Sequence, residues 1–161
     1  MSFTTAGLCN EHWDNEHFWI AEPIFKMYGA NRMFCGQITT LKVFEDNALV
    51  REALAEPVTN RVLVIDGGGS HRCALLGEKL ARTGIANGWQ GIIVYGCIRD
   101  SAVIDSLPIG IRALHAHPMK SFKRGHGERD INVTFAGITF KKDYFLYADA
   151  DGIIVSEAKL S

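Results

Sequence analysis

The sequence predicts a single α/β domain built on mixed sheets, and three observations carry that expectation. Two apolar, β-branched runs, Val62-Leu63-Val64-Ile65 and Ile92-Ile93-Val94-Tyr95, flank one helical pattern, as a βαβ unit does. From Ile131 onward several short strand patterns follow one another, as a second, antiparallel layer packed on the first half would. The 161 residues suffice for one core, and no repeat, linker or low-complexity stretch divides them, so residues 1–161 are read as one domain.

Residues 10–18 mix polar and apolar side chains as a short helix can. His12 and His17 stand five apart there, poorly placed to share a metal from one helical face. Pro23 and Gly29 break the approach to a strand at 33–43, in which Phe34, Gly36, Ile38 and Thr40 share one face. Asn47 is placed to cap a helix reaching about Glu56, with Leu49, Val50, Ala53 and Leu54 as its stripe and Pro57 as its stop. The central unit follows: a strand ending at Asp66, the run Gly67-Gly68-Gly69-Ser70, a helix from about Ala74 to Ala86, and a second strand carrying the apolar run Ile92–Tyr95. A short helix at 101–107 is closed by Pro108 and Gly110, and a strand at 111–117 puts His115 and His117 on one face. Two histidines so placed are a permissible metal pair, but no third ligand stands nearby, which favours packed or surface residues. Lys120, Lys123, Arg124, His126 and Arg129 make a basic, glycine-containing loop, either solvated or facing an acidic neighbour or a subunit interface. Strand patterns at 131–135, 138–140, 144–147 and 153–155 complete the chain, with turns at Gly137, Asp143 and Gly152.

A formal net charge of −1 gives no electrostatic case for direct nucleic-acid binding. The first residues show neither the basic nor the apolar region of a secretory signal, and the apolar runs are strand-sized, too short to cross a bilayer. Cys9, Cys35, Cys73 and Cys97 lack C-x-x-C spacing, which together point to reduced thiols and a cytoplasmic location. Cys97 stands near Arg99, as an activated nucleophile would, but a small strand-end residue is the favoured reading.

Open α/β sheets bind ligands beyond the carboxyl ends of their strands. Two polar segments fall there: Gly77-Glu78-Lys79-Leu80 near the helix start, and Arg99-Asp100 after the second strand, with twenty residues between Glu78 and Arg99. Free amides at a helix start can hold a carboxylate, and Gly77 leaves the approach open. Arg99 offers a planar fork for a carboxylate or a polarised carbonyl, Asp100 is a hard oxygen ligand for Mg²⁺ or Mn²⁺, and Glu78 can position or deprotonate a water. Together they describe a metal-assisted site for a small 2-oxo acid. Each piece has a plainer alternative: the glycines only turn the chain, and Asp100 only caps the helix at 101–107. The glycine run has neither the G-x-G-x-x-G spacing of a dinucleotide site nor the Gly-Lys-Ser/Thr of a P-loop.

Asp66-Gly67-Gly68-Gly69-Ser70, Ala74-Leu75-Leu76-Gly77-Glu78, Gly88-Trp89-Gln90-Gly91 and Tyr95-Gly96-Cys97-Ile98-Arg99-Asp100 resemble the RraA family, which includes regulators of ribonuclease E activity and metal-dependent 4-hydroxy-4-methyl-2-oxoglutarate aldolases. Phe44-Glu45-Asp46-Asn47, Tyr147-Ala148-Asp149 and Asp151-Gly152 extend the resemblance over most of the chain. It implies a layered β/β/α swivelling-type fold, a homotrimer and a class II, metal-dependent lyase with secondary oxaloacetate decarboxylase activity. In it, Glu78 and Arg99 are catalytic, Gly77, Glu78, Lys79, Leu80 and Arg99 bind substrate, and Asp100 holds Mg²⁺ or Mn²⁺. The family's aldolase signature more often has Asp where this chain has Glu78. The alternative it implies is a non-catalytic, protein-binding regulator of ribonuclease E. A methyltransferase, a label relatives have carried, finds no S-adenosylmethionine loop here: no acidic ribose partner follows the glycines on a next strand.

Overall fold

The computed structural model describes residues 2–161. Helix α1 (Thr5–His12) is followed by short strands β1 (Phe18–Ile20) and β2 (Lys26–Tyr28) and the long strand β3 (Phe34–Lys42). Helix α2 (Ala48–Leu54) leads to β4 (Arg61–Asp66), and β5 (Ala74–Leu76) runs almost directly into α3 (Glu78–Ala86). Then come β6 (Trp89–Ile98), α4 (Ser101–Ile104), β7 (Gly110–Ala116), β8 (Glu128–Arg129), β9 (Val133–Phe135), β10 (Ile138–Phe140), β11 (Phe145–Ala148) and β12 (Ile153–Ser156).

One large sheet runs in the order β1-β12-β11-β3-β4-β6-β7-β2. Its centre, β3-β4-β6-β7, is parallel, because α2, α3 and α4 each carry the chain back between neighbouring strands. Both flanks are antiparallel. Alternation along β4 sets the layers: Leu63 and Ile65 meet Val50, Ala53 and Leu54 of α2 and Leu80 and Ala81 of α3. Val62 and Val64 meet Val133, Phe135, Ile138 and Phe140 of the β9–β10 hairpin on the opposite face. Full burial of side chains such as Val64 and Ile65 is worth about 1.5–3 kcal/mol each, so both faces of β4 contribute to holding the layers. The order of hairpin, sheet and helices is the β/β/α layering that the family resemblance implies. No helix among the described residues is long and apolar enough to cross a membrane.

Four local expectations are corrected. The strands at 144–147 and 153–155 do not join a second layer; β11 pairs with β3 and β12 with β11, and together they extend the main sheet. The first helix is not at 10–18 but at Thr5–His12, where the Thr4 hydroxyl accepts the Gly7 amide at 2.9 Å as an N-cap. Its start is stapled to the β11–β12 turn by Asp149, which accepts the Thr5 amide at 2.7 Å and the Thr5 hydroxyl at 2.6 Å. Asn47 is at the start of α2 but makes no capping bond; Asp46 accepts the Ala48 amide at 3.0 Å instead, while Asn47 donates to the Leu75 carbonyl at 3.3 Å.

The fourth correction matters most. Residues 74–76 are not helix but strand β5, paired in parallel with the end of β6 as Ala74 with Cys97 and Leu76 with Ile98. Strand β4 leaves β6 at the Asp66–Tyr95 pair, and β5 then takes its place alongside. The glycine run makes this possible. Its Gly67 and Gly69 amides both donate to the Tyr95 carbonyl, at 3.0 and 3.1 Å, and a Cβ on Gly67 would lie 2.7 Å from that oxygen. Gly68 and Gly69 have φ of 68° and 71°, which glycine adopts without steric cost.

The segment Phe44-Glu45-Asp46-Asn47 clasps two loops. Glu45 accepts Arg72 through both oxygens, at 2.6 and 2.9 Å, and the Ser70 hydroxyl at 2.6 Å, fixing the glycine loop. Asp46, 4% exposed, accepts the amides of Arg124 and His126, each at 3.0 Å, and so fixes the basic loop. Burial alone would raise the Asp46 carboxyl's pKa, but the amides of Ala48, His126 and Arg124 outweigh it and hold the value below the ordinary range. Because the folded carboxyl titrates below its unfolded value, its contribution is complete above an unfolded pKa of about 3.9 and is lost as pH falls through the folded value. Asp46→Ala should lower stability at pH 7 by about 1–3 kcal/mol. Denaturant melts from pH 7 to pH 2.5 should show the gap between mutant and wild type closing only below about pH 4.

Candidate active site

The β5–β6 pairing decides what meets at the sheet's edge. Leu76 and Ile98 are partners in register, and the Arg99 amide donates to the Leu76 carbonyl at 2.8 Å. The next residues of each strand, Gly77-Glu78 and Arg99-Asp100, therefore emerge side by side. Glu78 opens α3 directly, so the first-turn amides of Lys79 and Leu80 lack intrahelical acceptors. The Glu78 amide is already taken: it donates to Asp100 Oδ2 at 2.9 Å.

Asp100 has φ 60°, a left-handed backbone that Asp tolerates better than most residues. That turn aims its carboxylate back at the start of α3, and no side-chain bond caps α4. The plain capping role considered for Asp100 is thus not what the structure shows. Gly77 makes the approach possible, since a Cβ there would lie 2.9 Å from Asp100 Oδ2 and 3.3 Å from Arg99 Cγ. Arg99 is half-buried and Asp100 exposed. Glu78 pairs with Arg82 one turn along, Oε2 to Nε at 2.8 Å.

Gly77, Glu78, Lys79, Leu80, Arg99 and Asp100 all line one cleft of about 500 Å³. All six residues singled out in the sequence are brought together. The other wall went unforeseen: Asn47 and Arg51 come from the start of α2, and Lys120, Ser121 and Lys123 from the basic loop. A run of like charge in the sequence was the one available signal for this wall, and it named Lys120 and Lys123 without placing them. Five cations, Arg51, Lys79, Arg99, Lys120 and Lys123, face two carboxylates, Glu78 and Asp100. Among the described residues none of these five forms an ion pair.

Elsewhere the plainer expectations hold. His115 Nδ1 lies 2.9 Å from Lys26 Nζ, and His117 Nδ1 accepts the Met119 amide at 3.1 Å. Cys97 is buried, and burial pushes its thiol pKa up, the opposite of an activated nucleophile. No group of three or more His, Cys, Asp or Glu side chains gathers as a metal cage among the described residues. Asp100 is instead a single exposed carboxylate, kept accessible by Gly77, and a cation that retains most of its waters needs only one or two such ligands.

The model of the RraA-like family, described as Aldolase/RraA, matches residues 5–155. A Methylococcus capsulatus protein named "Putative 4-hydroxy-4-methyl-2-oxoglutarate aldolase" is 61% identical over 99% of both chains. A solved structure from Geobacillus kaustophilus, described as an S-adenosylmethionine:2-dimethylmenaquinone methyltransferase, is 46% identical, with a TM-score of 0.95 over 98% of this chain and 97% of that one. The RNA-processing inhibitor RraA from Thermus thermophilus is 40% identical, with a TM-score of 0.94 over 100% of this chain and 96% of that one.

Gly77→Ala tests the geometry without reference to activity. Its backbone is extended (φ −131°), so alanine should fold there, but its methyl should displace the Asp100 carboxylate. Amide exchange at Glu78 should quicken at least tenfold with the melting temperature little changed; unchanged exchange would show that the contact is not made.

Proposed function

This chain belongs to the RraA-like family, and from that premise we propose that it is a divalent-metal-dependent lyase that cleaves 4-hydroxy-4-methyl-2-oxoglutarate into two molecules of pyruvate. The observation that carries the proposal is the meeting of Gly77-Glu78 with Arg99-Asp100 in one cation-rich cleft.

The substrate's carboxylate next to the keto group docks on the free amides of Lys79 and Leu80 at the start of α3. Arg99 donates to the 2-oxo oxygen, and its fork keeps that bond directed as charge grows there. Asp100 would hold Mg²⁺ or Mn²⁺, supplying Lewis-acid polarisation of the 2-oxo group. Glu78, tied to Arg82 through one oxygen, uses the other to orient a water that takes the proton of the 4-hydroxyl. The C3–C4 bond then breaks, its electron pair passing into the enolate of one pyruvate while C4 becomes the ketone of the other. Arg99 holds the enolate oxygen, and the water returns the proton to C3. Oxaloacetate loses CO₂ through the same enolate, so one site serves both reactions.

Membership of the family supports further parts of the same reading. The protein works in the cytoplasm as a homotrimer, to which the exposed Phe44, Met119 and Phe122 offer apolar contact area beside the two clasped loops. A second reading is favoured by likeness to the RNA-processing inhibitor: a protein-binding regulator of ribonuclease E, tested by pulldown with that enzyme. Methyl transfer gains no support from the glycine run, in which Gly67 and Gly69 pack closely on Tyr95 and Gly68 on the ring of Phe44.

Asp100→Ala should abolish metal-dependent pyruvate release, by at least a hundredfold, while the fold survives, because an exposed strand-end residue contributes little to the core. Arg99→Ala should lower kcat as well as raise KM, since the lost bond strengthens in the transition state. Arg99→Lys should recover little of it. Wild-type turnover in either alanine variant at saturating Mg²⁺ contradicts these roles.

A further inference from the structure

The keto-acid end of a substrate is served by the amides of Lys79 and Leu80, by Arg99 and by Asp100, which leaves the opposite wall of the cleft without a task. That wall carries Arg51, Lys120 and Lys123, three cations with no carboxylate partner among the described residues. Between the two lysines in sequence stands Ser121, a residue that lines the cleft; it is 4% exposed, and its buried hydroxyl has no hydrogen-bond partner. A buried hydroxyl without a partner is uncommon, and one flanked by two unpaired cations has the donor set of an anion subsite.

The lysines are not on a loose loop. Before them, the Ala74 amide donates to the Met119 carbonyl at 2.8 Å. In their midst the Phe122 amide donates to the Glu45 carbonyl at 2.9 Å, and the Phe122 carbonyl accepts the Asn47 amide at 3.0 Å. Just beyond, Asp46 holds the Arg124 and His126 amides. The backbone that bears the three side chains is thus fixed against the same β5 that presents Gly77.

Resting on the lyase activity proposed above, we propose that Lys120, Ser121 and Lys123, supported by Arg51, form a subsite for the second carboxylate of a 2-oxo dicarboxylate and so select dicarboxylates over monocarboxylates of equal length. Ser121 donates its hydroxyl to that carboxylate, and the lysines balance its charge. Without it, the three cations of this wall would stand together unneutralised.

Calorimetric titration in the presence of Mg²⁺ with two unreactive probes of the same chain length, 2-oxoglutarate and 2-oxopentanoate, separates this subsite from the chemistry. Wild type should bind 2-oxoglutarate at least tenfold more tightly. Lys120→Ala/Lys123→Ala should lose most of that preference while binding 2-oxopentanoate within twofold of wild type, and Ser121→Ala should weaken 2-oxoglutarate alone. Lys141→Ala/Lys142→Ala, which removes equal charge outside the cleft, should keep the preference. Equal affinities in wild type, no binding of either probe, or a preference that survives in Lys120→Ala/Lys123→Ala would overturn the subsite. Pyruvate release measured in parallel keeps the two proposals apart: selectivity without turnover defeats the lyase and supports the subsite, and turnover without selectivity does the reverse.

Discussion

The parallel pairing of Leu76 with Ile98 is the contact on which the site depends. Strand β5 is only three residues long, yet it occupies the space that β4 vacates beside β6. Were it to slip by one residue, Gly77 would no longer face Asp100, and the Cβ-free gap that admits the carboxylate would be lost. The glycine run serves this register. Two of its amides are tied to one carbonyl, and its first glycine passes too close to that carbonyl for any side chain.

A second constraint holds the opposite wall. Glu45 and Asp46 are adjacent, and each spends its carboxylate on one loop: Glu45 on the guanidinium of Arg72, Asp46 on backbone amides of the basic loop. Acidic charge is thereby used up in structure, while the cations of the cleft stay unpaired. The result is a local excess of positive charge in a chain whose net charge is −1. A near-neutral protein can in this way present an anion site without a basic surface.

Much of this was legible in the sequence, for physical reasons that can be named. The β-branched runs at 62–65 and 92–95 and the apolar stripe of α2 report burial directly, so the central strands and layers follow from periodicity. Gly77, Glu78, Arg99 and Asp100 could be placed together because parallel strands send their carboxyl ends to one edge. Illegible were features set by tertiary pairing. Leu75 and Leu76 fit a helical stripe as well as a strand, and only β6 decides between them. Nothing local marks Asp46, rather than Asn47, as the residue that accepts the Ala48 amide, because Asp46 is held by amides some eighty residues away. Ser121 gave no signal at all; its burial exists only once the basic loop is clasped.

If the strand-end cluster is a centre for metal-assisted carbon–carbon cleavage, the unmodified protein should perform that chemistry with the substrates the cleft's charge favours. Continuous measurement of pyruvate release from 4-hydroxy-4-methyl-2-oxoglutarate and from oxaloacetate, with Mg²⁺ and again after chelation, addresses this most directly. The expected result is turnover of both with Mg²⁺, abolished by chelation and restored by re-addition of the metal. Pyruvate release no faster than in protein-free buffer containing the same Mg²⁺ would contradict it.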